Sequence, residues 1–317
     1  MPPPVPTRIL LHHDAGPSLL AQIDRRASDD VQITCCPVPD RDRLRAELAH
    51  TDVLFHVLDP IGDDVLAWAP RLRLIQKLGV GVNTIDLGAA ARRGVMVANL
   101  PGVNRQAVAE HALMLMLAAL RRLPRFHEAT AAGSGWAMPA SAGDGLGELG
   151  GRRIGFIGFG AIPQSLAPVL QAMGCDIVHH RRTAGGPGWL PLDELLSTSD
   201  VISVHLPSTP ETVHLLDRHR LQQCKPGAVL INTGRGEVID ETALVNALRH
   251  GPLAAAGLDV FEREPPPASS ELLHLPNVVL TPHVAWLTYE TFARCLDRGL
   301  ANARRVRDGL EPMHRVA

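Results

Sequence analysis

Ile154-Gly-Phe-Ile-Gly158-Phe-Gly160-Ala-Ile-Pro163 runs from an apolar stretch through a spaced pair of glycines into a helical pattern over 164–173. That order is the context a dinucleotide loop requires. Gly158 permits a tight turn, and Gly160 lets the backbone approach a pyrophosphate held at the positive end of a helix. The third glycine of the fingerprint is replaced by Pro163. Proline is tolerated in a first helical turn, where its missing N–H has no intrahelical partner, although its ring sets the helix slightly further from the strand. A plain strand-to-helix turn would use the same glycines. Here, however, the loop heads a series of six short apolar runs, at 154–159, 177–180, 201–206, 228–233, 253–259 and 278–281, and that position favours the dinucleotide reading.

Outward from this loop the same alternation recurs. Runs at 8–12, 31–35, 53–58, 72–78 and 95–99 are separated by helical patterns that include 42–48 and 87–93, so the amino-terminal third also reads as a parallel sheet of an α/β unit. The longest helical pattern spans 104–122. It is followed by 123–151, rich in Gly, Ala, Ser and Pro, which reads as a hinge or an arm. A last helix, 288–308, follows the final strand, so the chain is expected to return there to its first domain.

The cofactor is read at the closing end of the strand after the glycine loop, because ligands of such sheets lie outside the carboxyl ends of strands. Asp176 opens that strand and so points away. His180-Arg181-Arg182-Thr183 closes it. An acid there would bind the free 2′-hydroxyl of NAD, whereas two guanidinium groups match a 2′-phosphate in charge and geometry. NADP is the expected cofactor, with NAD possible.

The 317 residues suffice for two domains at about 150 each. Lys plus Arg number 31 against 33 Asp plus Glu, a net charge of −2, and there is no dense basic stretch, so nucleic acid is not an expected partner. The strongest apolar run, 112–120, is closed by Arg121 and Arg122 at about half the ~20 residues a membrane span needs. The amino terminus lacks the layout of a secretory signal, and the five cysteines show no C-x-x-C spacing, which suits the cytoplasm. His12-His13 and His179-His180 are neighbours on strands and face opposite sides, so neither pair can hold one metal, and no metal site is expected. Cys35-Cys36 reads as core for the same reason.

Three later segments carry the chemistry: Asn232-Thr-Gly-Arg235-Gly-Glu-Val-Ile-Asp240, Gly257-Leu-Asp259-Val-Phe-Glu-Arg-Glu264-Pro, and Thr281-Pro-His283-Val-Ala-Trp286. Reducing a 2-oxo acid needs a cation to hold the carboxylate and polarise the carbonyl, and an acid to protonate the developing alkoxide. Arg235 offers a planar fork for the first task, and His283 can supply the proton if a neighbour such as Glu264 favours its charged form. Each residue alone has a plainer reading, as a solvated loop charge, a turn partner or a strand-end histidine. Three of them together near strand ends are hard to attribute to chance.

In order and spacing these segments resemble the signatures of the D-isomer-specific 2-hydroxyacid dehydrogenases. Lys77-Leu-Gly79-Val-Gly81-Val-Asn-Thr-Ile-Asp86, Asn99-Leu-Pro-Gly102-Val-Asn and Val108-Ala-Glu110 extend the resemblance over nearly the whole chain. Trp286 is similar to the glyoxylate and hydroxypyruvate reductase branch. The resemblance implies an α/β fold of two doubly wound domains, a Rossmann dinucleotide-binding domain at 101–288 inserted in a flavodoxin-like substrate domain at 1–100 and 289–317. It implies Arg235, Glu264 and His283 as the catalytic triad. Cofactor contacts are expected from Gly158, Gly160, Ala161, Ile162, Arg181, Arg182, Thr212, Thr233, Gly234, Asp259 and Ala285, with Asp259 orienting the nicotinamide carboxamide. The backbone at Val80 and Gly81 is expected to bind the substrate carboxylate. The implied activity is NADP(H)-dependent reduction of a small 2-oxo acid to the D-2-hydroxy acid by a homodimer whose 123–151 segment reaches the partner subunit. Formate and phosphite dehydrogenases share this fold, but Val80-Gly81-Val82 matches the 2-oxo acid loop better. A non-catalytic dinucleotide sensor, like the corepressors of the same family, is the alternative, against which the intact triad argues.

Overall fold

The computed structural model describes residues 6–317. The chain divides into two compact units, Met1–Asn104 with Leu287–Ala317, and Arg105–Trp286. The first begins with β1 (Thr7–His12), α1 (Pro17–Asp24), β2 (Val31–Cys36), α2 (Arg41–Leu48), β3 (Val53–His56), α3 (Asp63–Leu66), β4 (Leu74–Lys77), α4 (Leu87–Arg92) and β5 (Met96–Ala98). The second contains α5 (Arg105–Leu120), α6 (Leu123–Ala131), β6 (Arg153–Ile157), α7 (Ala161–Ala172), β7 (Asp176–His180), α8 (Leu192–Thr198), β8 (Val201–Val204), α9 (Arg218–Gln222), β9 (Ala228–Asn232), α10 (Glu241–His250), β10 (Leu253–Leu258) and β11 (Val278–Leu280). The closing helix α11 (Tyr289–Arg307) belongs to the first unit.

Both sheets are parallel throughout. The first unit has the order β2-β1-β3-β4-β5 and the second β11-β10-β9-β8-β6-β7. A parallel sheet needs cover on both faces, which is why the strands are near-continuous apolar runs; β3, β8 and β9 are buried at every position. Five helices start at a side chain that caps a free N–H in the first turn: Asp40, Asp86, Asp217, Asp240 and Thr288. Helix α11 also has Glu290 in its first turn and Arg304, Arg305 and Arg307 in its last, matching the helix dipole. Gly299 lets it approach its sheet, since a Cβ there would come within 2.9 Å of the Phe55 ring.

In the second unit α5 is apolar on most sides. Ala112, Leu115, Met116 and Ala119 join Ile154, Phe156, Val229, Ile231 and Ala255 in one core. The opposite face of the same sheet packs under α8, α9 and α10 through residues such as Leu195, Leu221, Leu244 and Leu248. Strand order reverses about β6, which pairs with β7 on one side and β8 on the other. The carboxyl end of β6 is therefore a topological switch point, the usual ligand position in an open α/β sheet.

Two local readings change. The helix expected from residue 164 begins at Ala161, so Pro163 is its third residue, buried within the first turn. The stretch 123–151 is not featureless: α6 occupies Leu123–Ala131, with Pro124 set at its start and no buried residue, followed by two short 3-10 turns. Among the described residues no helix is long and apolar enough to cross a membrane, and no group of three or more His, Cys, Asp or Glu side chains is placed to hold a metal.

Candidate active site

Strands β9, β10 and β11 deliver the three chemical segments at their carboxyl ends. Arg235 follows β9 in a turn clamped by Asn232, whose amide donates to Arg235 O (2.9 Å) and whose Oδ1 accepts Gly234 N–H (3.0 Å). Its guanidinium donates to Gly234 O (2.7 Å). Burial pulls the Arg235 pKa down, against the attraction of Glu237 and Glu264, yet an arginine remains charged throughout the physiological range. The next residue, Gly236, lies so close to the loop after β10 that a Cβ would collide with the Phe261 backbone. Here a glycine is required, and it joins the arginine loop to the glutamate loop.

Glu264 is anchored at both oxygens. Oε1 accepts Phe261 N–H at 3.1 Å and Oε2 lies 2.6 Å from His283 Nδ1. Burial raises the Glu264 pKa, but the His283 hydrogen bond and charge, the Phe261 N–H and Arg235 outweigh it and leave the carboxyl below its ordinary value. An ionised carboxylate only accepts, so His283 donates from Nδ1, and Nε2 is the nitrogen left to exchange a proton. His283 is held in left-handed backbone geometry at φ 54°. Its N–H donates to Asp259 O (2.8 Å) and its carbonyl accepts Trp286 Nε1 (3.1 Å), contacts that offset the strain.

Asp259, at the end of β10, is 1% exposed. Its Oδ1 accepts Thr281 Oγ1 (2.6 Å) and Val284 N–H (2.9 Å), and Oδ2 accepts Ala285 N–H (2.9 Å). The Ala285 amide is thereby committed to Asp259. His111 on α5 stands behind Thr281, with Nε2 2.9 Å from Thr281 Oγ1. Reading the sequence assigned no role to His111, Thr281, Asn232 or Gly236, though all four lie inside or beside the quoted segments.

At the switch point Gly158 takes φ 89°, and a Cβ there would meet His205 O at 2.7 Å. Gly160 caps α7, and a Cβ there would meet nothing within 4 Å, leaving open space before the first-turn amides of Ala161 and Ile162. Phe159 between the glycines stacks on His179 at 4.1 Å between ring centres. Thr233 Oγ1 is buried with no hydrogen-bond partner among the described residues, and a Cβ at the adjacent Gly234 would come within 2.9 Å of Leu206 O. An orphaned hydroxyl beside a closely approaching backbone fits a bound polar group. Thr212 is instead committed to its own loop, donating to Pro207 O (2.7 Å) and accepting Thr209 N–H (2.8 Å).

Past the end of β7, Arg181 donates to Gly185 O (3.2 Å) and its carbonyl accepts Trp189 Nε1 (3.2 Å). Asp176, at the other end of the strand, pairs with Arg153 at 2.7 Å. None of the residues 180–183 that close β7 is acidic, although the charge of Arg182 reaches the Glu211 carboxylate of a neighbouring loop. In the first unit, Val80 and Gly81 lie in the loop after β4. Val80 O accepts the Asn99 amide (2.8 Å), and the Val80 and Gly81 N–H groups have no acceptor among the described residues.

The family model for the NAD binding domain of D-isomer specific 2-hydroxyacid dehydrogenases matches residues 113–285. The chain is 38% identical over 290 residues to a D-3-phosphoglycerate dehydrogenase of Mycobacterium tuberculosis, covering 89% of this chain and 53% of that one. It thus spans about half the length of the mycobacterial relatives. It is 40% identical over 270 residues to a glyoxylate reductase of Aeropyrum pernix, 81% of this chain and 80% of that one. A crystal structure of an NADPH-dependent glyoxylate/hydroxypyruvate reductase from Sinorhizobium meliloti, in complex with NADP and malonate, is similar at TM-score 0.82 and 31% identity, covering 98% of this chain and 97% of that one. With the family model matched over more than half its length and both sheets in the family's doubly wound form, the chain belongs to the D-isomer specific 2-hydroxyacid dehydrogenase family.

Proposed function

We propose that the protein is an NADP(H)-preferring oxidoreductase that reduces a small 2-oxo acid of the glyoxylate or hydroxypyruvate type to the D-2-hydroxy acid. The observation that carries this reading is the Glu264 carboxylate, bridging Phe261 N–H and His283 Nδ1 with the Arg235 charge beside it. Arg235 holds the substrate carboxylate and polarises the carbonyl. Glu264 fixes the ring and the Nδ1–H of His283, so that Nε2 is the atom that delivers a proton to the alkoxide oxygen.

The residues present suit a nicotinamide dinucleotide. We assign the Gly158–Ile162 turn and the α7 amino terminus to its pyrophosphate, Thr233 and Gly234 to its backbone, Arg181 and Arg182 to a 2′-phosphate and Asp259 to the carboxamide, with Ala285 acting by holding Asp259 and Thr212 by shaping its loop. Bound there, the reduced cofactor supplies the hydride to the carbonyl carbon. The named activity of the Aeropyrum and Sinorhizobium relatives supports the substrate class. A panel of small 2-oxo acids assayed with NADPH and with NADH tests the proposal. Fastest turnover of glyoxylate or hydroxypyruvate with NADPH is the expected result. Dinucleotide binding without turnover of any 2-oxo acid would overturn it.

A further inference from the structure

Asp259 takes its orientation from a chain of side chains that starts on another element. Thr281 Oγ1 has one proton, and at 2.6 Å from Asp259 Oδ1 it gives that proton to a carboxylate that can only accept. The contact of His111 Nε2 with Thr281 Oγ1 at 2.9 Å is then a donation from His111. The order is His111 Nε2–H to Thr281 Oγ1–H to Asp259 Oδ1. His111 Nε2 also stands 3.5 Å from Asp259 Oδ1. Burial lowers the His111 pKa more than Asp259, the one charge acting on it, raises it, so at neutral pH this approach is a hydrogen-bonded relay and not an ion pair. The helix carrying His111 packs closely on the sheet, since a Cβ at Gly257 of β10 would lie 2.9 Å from Leu115 of α5. Oδ1 is thereby saturated, while Oδ2 accepts only Ala285 N–H and keeps capacity for one further donor.

We propose that His111, acting through Thr281, is the positioning residue that turns Asp259 Oδ2 toward the amide of the nicotinamide. The inference rests on the dinucleotide reading above. His111 touches neither substrate nor cofactor in this scheme. Its effect is confined to the nicotinamide end of the ligand, and hydrogen bonds in such a buried chain reinforce one another.

The test measures binding of NADPH, and of ADP-ribose 2′-phosphate, which lacks the nicotinamide, to the full chain by fluorescence and calorimetry. His111→Leu should weaken NADPH about tenfold, the loss of a buried hydrogen bond that orients a charged acceptor. ADP-ribose 2′-phosphate should stay within about twofold, since the relay does not reach its site. His111→Gln, which keeps an N–H donor, and Thr281→Ser, which keeps the hydroxyl, should restore NADPH binding to within about threefold. Thr281→Val should match or exceed the loss in His111→Leu, and the double variant should be no worse than Thr281→Val, because the two residues form one chain. Equal weakening of both ligands, additive losses in the double variant, or unchanged NADPH binding in His111→Leu overturns the proposal. Wild-type protein that binds neither ligand overturns the dinucleotide reading itself, and this inference with it.

Discussion

In the proposed reaction Arg235 and the Glu264–His283 pair act through geometry that charge alone would not reproduce. Arg235→Lys keeps the cation and loses the planar fork, so kcat/KM for 2-oxo acid reduction should fall by roughly two orders of magnitude, about 3 kcal/mol of transition-state stabilisation. Activity within twofold of wild type would remove Arg235 from the site. Glu264 is held below the ordinary carboxylate value despite its burial, so the negative partner of His283 persists across the neutral range and is lost only in acid. Glu264→Gln keeps the shape and withdraws the negative charge beside His283, so kcat for reduction should fall about tenfold or more while dinucleotide binding stays nearly unchanged. His283→Ala should abolish most turnover. Wild-type kcat in Glu264→Gln would leave the glutamate a purely structural part.

At the scale of elements, the edge of β7 bears on the proposed cofactor preference and the loop contacts on stability. At the close of β7 the guanidinium of Arg181 rests on the Gly185 carbonyl, and Arg182 adds to the hydrogen bonds from Thr209 and the Glu211 backbone that hold Glu211 below its ordinary pKa. Arg181→Asp with Arg182→Ala should shift the kcat/KM ratio from NADPH toward NADH, because the new carboxylate repels a 2′-phosphate and accepts from a 2′-hydroxyl. A wild-type preference for NADH would defeat the arginine argument. Gly236 joins the β9 and β10 loops by backbone contact, so Gly236→Ala should cost about 3 kcal/mol or more in urea unfolding, with loss of activity. In the first unit, hydrogen bonds from Arg304, Ser28 and Arg307 hold the Asp30 carboxyl well below its usual range and tie α11 to the start of β2. A depressed pKa in the folded state makes this contribution fully present above about pH 4 and lost as pH falls through the folded value. Asp30→Asn should lower stability at pH 7 by less than about 1 kcal/mol, since the pair is partly exposed, and the difference from wild type should fade in acid.

For the whole molecule, the outstanding prediction is assembly. Helix α6 buries none of its residues within the chain, and Leu123 and Trp136 in this region are exposed, Trp136 by 89%. An amphipathic helix without a covered face, beside an exposed indole, suits contact with a second copy. Sedimentation at micromolar concentration should give about twice the mass of one chain. A monomer throughout that range would rule out the homodimer.

The division between what was legible in the chain and what was not follows physical range. The eleven strands of the described residues could be read because each is a short apolar or β-branched run between helical patterns, the central ones buried on both faces, and the Gly158 turn could be read because its positive φ demands glycine. Arg235, Glu264 and His283 stood out by type and spacing near strand ends. The start of α7 was misplaced because Pro163 looks like a boundary, yet it can occupy a first turn where its N–H is not needed. Helix α6 was missed because its stability is not written in a buried stripe.

Local propensity, burial pattern and residue chemistry, which act over a few neighbours, thus determined the α/β class, the position of the glycine loop and the candidate catalytic residues. Only the tertiary structure decided that Gly236 meets Phe261, that Glu264 spends one oxygen on a backbone amide and the other on His283, and that His111 reaches Asp259 through Thr281. The reason is that a hydrogen bond between residues 170 positions apart, as between His111 and Thr281, depends on how α5 crosses the sheet, and packing rather than pattern sets that crossing.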